Sequence, residues 1–216
     1  MESDKKMKFI QDMIIKMLRE TKRDGIEDLI AYMKKSDFFV APASTRFHGS
    51  YPGGLAEHSI NVYNALVFHY ENLKESDYNL PDIPEDSIII VALLHDLCKV
   101  NTYHETWKNE KVYHDKGTKS DPGGKFDWEV VPGYKKDPLL AMGHAGKSIF
   151  IIQQFIKLSV MEAQAIYWHM GAYDLSLYNT LNELGQAYSE NLLAFLLHQA
   201  DMTCTYISEN ERYKKY

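Results

Sequence analysis

Cysteine is scarce in this sequence: Cys98 and Cys204 are the two among 216 residues, and both sit within apolar runs. That excludes a disulfide framework of the kind small secreted domains use in place of a large core, and a reduced, cytoplasmic setting is the expectation. Long apolar runs are missing too. None approaches the roughly 20 residues that a membrane-spanning helix requires, so no membrane role is expected. The N-terminal residues Met1-Glu2-Ser3-Asp4-Lys5-Lys6 lead into a stretch carrying Gln11, Asp12 and Lys16, which is not the form of a signal peptide. An excess of positive charge is also absent, with 24 Lys and Arg against 30 Asp and Glu. With a net charge of −6 and no basic stretch, extended nucleic-acid binding is not expected, although a local basic pocket stays open.

What remains is long enough to bury a core as one domain spanning 1–216. Met7, Ile10, Met13, Ile14, Met17 and Leu18 recur at helical spacing, Asp24-Gly25 interrupts, and Ile26, Leu29, Ile30 and Met33 resume it. Residues 1–39 therefore read as N-terminal scaffold helices. Pro42, Pro52 and Gly53-Gly54 mark a loop, in which Arg46 and His48 are candidate pocket-edge groups and a solvated loop is the competing reading. A helix follows from Leu55 to Leu73. It brings His58 and His69 near one face, but only His58 follows a Gly-Gly turn that allows close backbone approach. Pro84-Glu85-Asp86 has the form of a helix start, and Ile88–Leu94 is apolar almost all round, as a central buried helix would be.

Residues 100–137 change character. Phe126, Trp128 and Val130 alternate with Asp127 and Glu129, Lys111-Val112-Tyr113 is a weaker strand candidate, and Asp121-Pro122-Gly123-Gly124 separates them. The expectation is an inserted β-ribbon acting as a lid or specificity wall. Helical pattern returns at Leu139, with His144 in the first turns and Lys147 three residues on as a candidate anion-binding pair. Ser159-Val160-Met161-Glu162 has the form of a capping box for a helix running to His169, with Gly171 as terminator. Leu192–Ile207 is strongly apolar but carries Asp201, with His198 a possible neighbour against its reading as a surface residue.

One anomaly recurs along these segments. His95-Asp96, His58, His144, His169 and Asp201 are polar groups placed on otherwise apolar helices, and burying them is costly unless something pairs with them. A divalent cation would do so. His114-Asp115 serves as a control: the same dipeptide in a polar, Gly-rich stretch carries no such implication.

The order His58, His95-Asp96, His144, His169, Asp201, with the local texts Gly53-Gly54-Leu55-Ala56-Glu57-His58 and Leu93-Leu94-His95-Asp96-Leu97-Cys98-Lys99, resembles the HD-domain superfamily of metal-dependent phosphohydrolases over roughly residues 46 to 206. The resemblance implies an all-α helical bundle, here with the ribbon as an insertion. It implies that His58, His95, Asp96 and Asp201 hold one divalent metal, and that His144 and His169 either complete a second site bridged by Asp96 or bind substrate phosphate. Mn, Fe, Mg, Zn and Ni are not distinguished. The implied chemistry is attack of metal-activated water on phosphorus, with Asp96 and Lys99 central to it. Lys99, Arg46 and Lys147 are candidates to hold phosphate oxygens. The substrate expected is small and phosphorylated, a nucleotide or similar. Leu97-Cys98 stands where cyclic-dinucleotide phosphodiesterases of the HD-GYP type often carry Ile-Gly, so that substrate does not carry over. A di-iron oxygenase, a 3′-to-5′ exoribonuclease-like nuclease and a non-catalytic metal or ligand sensor are the alternatives.

Overall fold

The structure, a computed structural model, describes residues 2–45, 48–113, 126–137, 142–174, 181–210 and 213. It is mostly helical with one two-stranded antiparallel sheet. Arg46, His114-Asp115, the turn Asp121-Pro122-Gly123-Gly124 and Leu139 lie outside the described residues.

Helix α1 (Glu2–Glu20) buries Ile10, Ile14, Ile15 and Leu18, and α2 (Ile26–Lys35) buries Ile26, Leu29, Ile30 and Met33, the helical stripes expected from the sequence. Between them Gly25 has φ 83°, and a Cβ there would fall 1.9 Å from the carbonyl oxygen of Phe155, so the turn can be made only by glycine. Helix α3 (Gly54–Lys74) packs on α1, on α4 (Glu85–Leu94) and on α8 (Leu192–Thr203). Every residue of α4 from Ser87 to Leu94 is buried, as an all-round apolar helix demands. Helices α5 (His144–Ile152) and α6 (Val160–Trp168) complete the body around α4 and α8. The capping box at Ser159 and Glu162 is formed in both directions. A helix over Leu181–Glu190, α7, has no counterpart in the sequence reading.

Glu162 does more than cap. It is fully buried, accepts from the Ser87 hydroxyl at 2.7 Å, and is paired with Arg23, whose Nε also lies 2.9 Å from Asp86. This clamp joins the α1–α2 turn to the starts of α4 and α6, the helices that end at His95 and His169. Breaking a buried pair of this kind from one side costs about 3–5 kcal/mol.

Strands β1 (Tyr103–Tyr113) and β2 (Phe126–Lys136) form the expected ribbon, but β1 starts well upstream of the Lys111-Val112-Tyr113 segment, paired from Tyr103 opposite Lys136 to Tyr113 opposite Phe126. Its mixed polar and aromatic composition hides the first half from a hydrophobicity pattern. The root of the ribbon rests on the preceding loop, with the Tyr103 hydroxyl 3.4 Å from the Ala43 carbonyl and Lys108 donating to that of Thr45 at 3.2 Å.

Candidate metal centre

Helix α4 ends at Leu94, one residue before the doublet, whereas the sequence reads as a helical run continuing through it. His95 keeps helical geometry as the C-cap, but Asp96 turns away at φ −102°, ψ 17°, and Leu97–Lys99 tightens into a 3-10 turn. Leu94 before the doublet and Leu97 after it are both fully buried in the core. Asp96 is placed in a sparsely allowed backbone region often found at functional sites.

Around Asp96 the expected residues gather. His144, the first residue of α5, brings Nε2 to 2.7 Å from one Asp96 oxygen, with His169 Nε2 at 3.8 Å from that same atom. The other oxygen has Lys99 Nζ at 2.6 Å, His95 Nε2 at 3.4 Å and His58 Nε2 at 3.8 Å. His58 Nε2 also lies 3.2 Å from Asp201 on α8. His58, His95, His169, Asp96 and Asp201 are all buried. Ligand atoms of His58, His95 and Asp201 lie within 4.8 Å of one another, as do those of His95, Asp96 and His169, and those of Asp96, Cys98 and His144.

The outer ring nitrogens explain the orientation. His95 Nδ1–H donates to the Ala92 carbonyl at 2.9 Å and His169 Nδ1–H to that of Ile166 at 2.6 Å, each one turn back along its own helix. His58 Nδ1 faces Glu209 at 3.0 Å. These bonds fix the tautomer and point the three Nε2 atoms inward. There they are buried without a hydrogen-bond partner. Buried polar atoms are rarely left so, and three ring nitrogens facing two carboxylates become, once deprotonated, a donor set suited to a divalent cation. The residues present therefore fit the group that the sequence pattern implies.

The electrostatics agree. Burial opposes charge on His58, but the carboxylates of Asp201 and Glu209 outweigh it and raise the imidazole to about 10. Burial likewise opposes charge on His144, yet Asp96 and Cys98 raise it to about 10. His169 is pushed down to about 3 by burial and by its histidine neighbours. Burial works against the Asp96 carboxylate, but Lys99, His95 and His144 hold it well below the usual carboxylate range. This concentration of negative charge attracts protons when no cation is bound and a cation when one is available.

Other residues sort differently. Lys99 faces a cavity of about 300 Å³ lined also by Asp96, His144, Asp201, Tyr103 and Lys136. Lys147 is buried away from it, its ammonium 3.4 Å from the Thr102 hydroxyl, so the pairing with His144 expected from their spacing does not form a shared anion site. The cause is the helix start: with His144 at the first position of α5, Lys147 turns inward toward the 3-10 segment. His69 bonds to Thr203 on α8 at 3.1 Å. His198 bonds to the His169 carbonyl at 2.7 Å and stacks on Tyr188, bracing the end of α6 without joining the centre. His48 lines the cavity with its ring centroid 4.8 Å from that of His58, and burial pushes it down to about 4.

Glu209 escaped the sequence reading altogether. It follows a π-helical turn, Cys204–Ser208, in which the Glu209 N–H donates to the Cys204 carbonyl at 2.9 Å. The extra residue in that turn re-aims the chain so that Glu209 meets His58 and accepts from Asn61 at 2.8 Å. Ser-Glu-Asn-Glu is polar throughout, so no contrast with its surroundings singled it out.

The chain is 40% identical over 63 residues to a dihydroneopterin 2′,3′-cyclic phosphate phosphodiesterase from Methanocaldococcus jannaschii. The matched stretch is 29% of this chain and 24% of that protein, so the two correspond over about a quarter of the relative's length. No protein-family model matches the chain, and no solved structure matches it. Among the described residues no helix is long and apolar enough to cross a membrane. Buried histidine and aspartate groups among the described residues could hold a metal ion.

Proposed function

We propose that this chain is a metal-dependent phosphohydrolase of the HD-domain type that cleaves a phosphate ester of a small substrate, a phosphodiester such as a cyclic phosphate in particular. The observation that carries the reading is the convergence of three unpartnered imidazole nitrogens, on His58, His95 and His169, upon Asp96 and Asp201. His58, His95, Asp96 and Asp201 would hold one cation. His144 and His169, with Asp96 between them, would hold a second. A divalent cation there polarises a phosphoryl oxygen and activates water.

The side chains divide the remaining work. Lys99, at the cavity wall, exchanges its Asp96 partner for a phosphate oxygen when substrate enters. His144 also faces the cavity and is the better placed of the two added histidines to touch phosphate, because His169 is sealed behind it and has no exposed surface. The ribbon contributes Tyr103 and Lys136 to the cavity rim, which is the part of a specificity wall. Residues 100–137 are on this reading an insertion in a single unit. The relative's action on a cyclic phosphate favours a diester over a monoester.

The test is a screen of the purified chain, reconstituted separately with Mn, Fe, Mg, Zn and Ni, against phosphomonoesters, linear diesters and 2′,3′-cyclic nucleotides. Turnover of a diester that chelator abolishes is the expected outcome. Oxygen uptake by the iron form with no phosphoester turnover would overturn the reading in favour of an oxygenase.

A further inference from the structure

The ribbon carries a surface that the metal centre does not use. Residues directly opposite each other in an antiparallel pair share a face, and alternate residues along a strand do too. The register sets Tyr103 opposite Lys136, Glu105 opposite Tyr134 and Trp107 opposite Pro132, and the same face continues through Lys111 opposite Trp128 to Tyr113 opposite Phe126. All the Phe, Trp and Tyr residues of the two strands therefore stand on one side. Tyr103 packs on Tyr134 and Tyr113 on Phe126, but the two tryptophans are held open: Trp107 is 71% exposed and Trp128 61%. A continuous aromatic surface left open to water marks a binding site more often than a scaffold.

The face is continuous with the candidate centre. Its first row, Tyr103 and Lys136, lines the inner cavity with Asp96 and Lys99, and its next rows line an outer groove of about 1010 Å³ that shares Thr45 with the inner one. At roughly 3.4 Å per residue, Tyr134 stands about 7 Å and Trp107 about 14 Å along the ribbon from that first row. A ring joined to a phosphate through a sugar falls on Tyr134 first and reaches toward Trp107. Glu105 and Asn109 stand on the same face beside these rings, where a carboxylate and an amide can meet the N–H and carbonyl edge of a heterocycle.

Resting on the phosphohydrolase reading, we propose that the substrate is a phosphoester bearing a planar nitrogen heterocycle, and that the heterocycle is stacked in this groove on Tyr134 and Trp107 while the phosphate lies at Asp96 and Lys99. The ribbon is then the element that selects the substrate.

The experiment compares guanosine 2′,3′-cyclic phosphate with the ring-free glycerol 1,2-cyclic phosphate in the full chain and in Trp107→Ala and Tyr134→Ala. Both positions are on the ribbon surface, so the helical core does not depend on them. Each variant is expected to lose about tenfold more kcat/KM on the guanosine ester than on the glycerol ester, with the difference in KM. Guanosine alone should quench tryptophan fluorescence saturably, and Trp107→Ala should remove that response. Equal losses on both esters, together with no saturable quenching, would overturn the groove assignment while leaving the hydrolase reading intact. Quenching that depends on Trp107 in a protein that hydrolyses neither ester would uphold the groove and overturn the hydrolase. A selective loss seen only in Trp128→Ala, and only with oligonucleotides, would overturn the nucleoside-sized occupant in favour of a longer strand.

Discussion

Asp96 stands between two cationic partners, Lys99 at 2.6 Å and His144 at 2.7 Å, with further imidazoles behind it. Without a cation such a cluster stores protons, and its stability follows pH with a definite sign. His58 and His144 rise from an ordinary 6.5 to about 10. The folded chain therefore keeps protons that the unfolded chain releases, and their contribution, complete below about pH 6.5, is lost as pH climbs toward 10. His48 and His169 run the other way. Pushed down to about 4 and about 3, they add stability above 6.5 that is lost as pH falls through those values. Urea unfolding of the metal-free chain is thus expected to show a midpoint that peaks near pH 6.5 and declines on the alkaline side. The metal-loaded chain should lack that alkaline decline, because the cation already replaces the protons. A metal-free midpoint that stays level up to about pH 9 would contradict this account of His58 and His144.

At the scale of elements, four of the six candidate ligands stand at the end of a helix or just past it, while His58 and Asp201 lie within α3 and α8. α4 stops at Leu94 so that His95 and Asp96 can face inward, α5 begins at His144, and α6 stops at Trp168 to present His169. The π-helical turn after α8 belongs to the same pattern, because it carries Glu209 to His58. Glu209 then positions His58 without touching the cavity. Glu209→Gln keeps the shape and the bond to Asn61 but removes the charge behind the imidazole. Metal affinity measured by competition with a chelator is expected to fall about 10- to 100-fold, with bound-metal geometry retained at saturation. An unchanged affinity would mean that Glu209 merely anchors the end of the π-helical turn.

Across the whole molecule, the parts legible in sequence are those where polarity contrasts with its surroundings. Asp201 among Leu196, Leu197 and Ala200 stood out because a lone carboxylate does not belong in a core, and the structure places it beside His58. The capping box at Ser159 was readable because its spacing is fixed by one helical turn. Lys147, expected beside His144 from its spacing, faces Thr102 instead, since three residues of spacing give a shared side only when the phase of the helix is known. The first half of β1 sits in a polar stretch where burial leaves no trace in composition, whereas His48, a candidate pocket-edge group from its Pro- and Gly-marked loop, lines the cavity and is folded against His58. Helix α7 carries a short, mixed pattern, with Ala187 its buried residue, which is too little to announce it.

The cation proposed at Asp96 unites these scales, and the measurement that bears on it most directly is elemental analysis of the purified wild type beside Asp96→Ala, each assayed for phosphoester turnover. The account predicts one or two divalent ions per chain in the wild type, and loss of both metal and turnover in the variant. Metal content that is the same in the two proteins would contradict it.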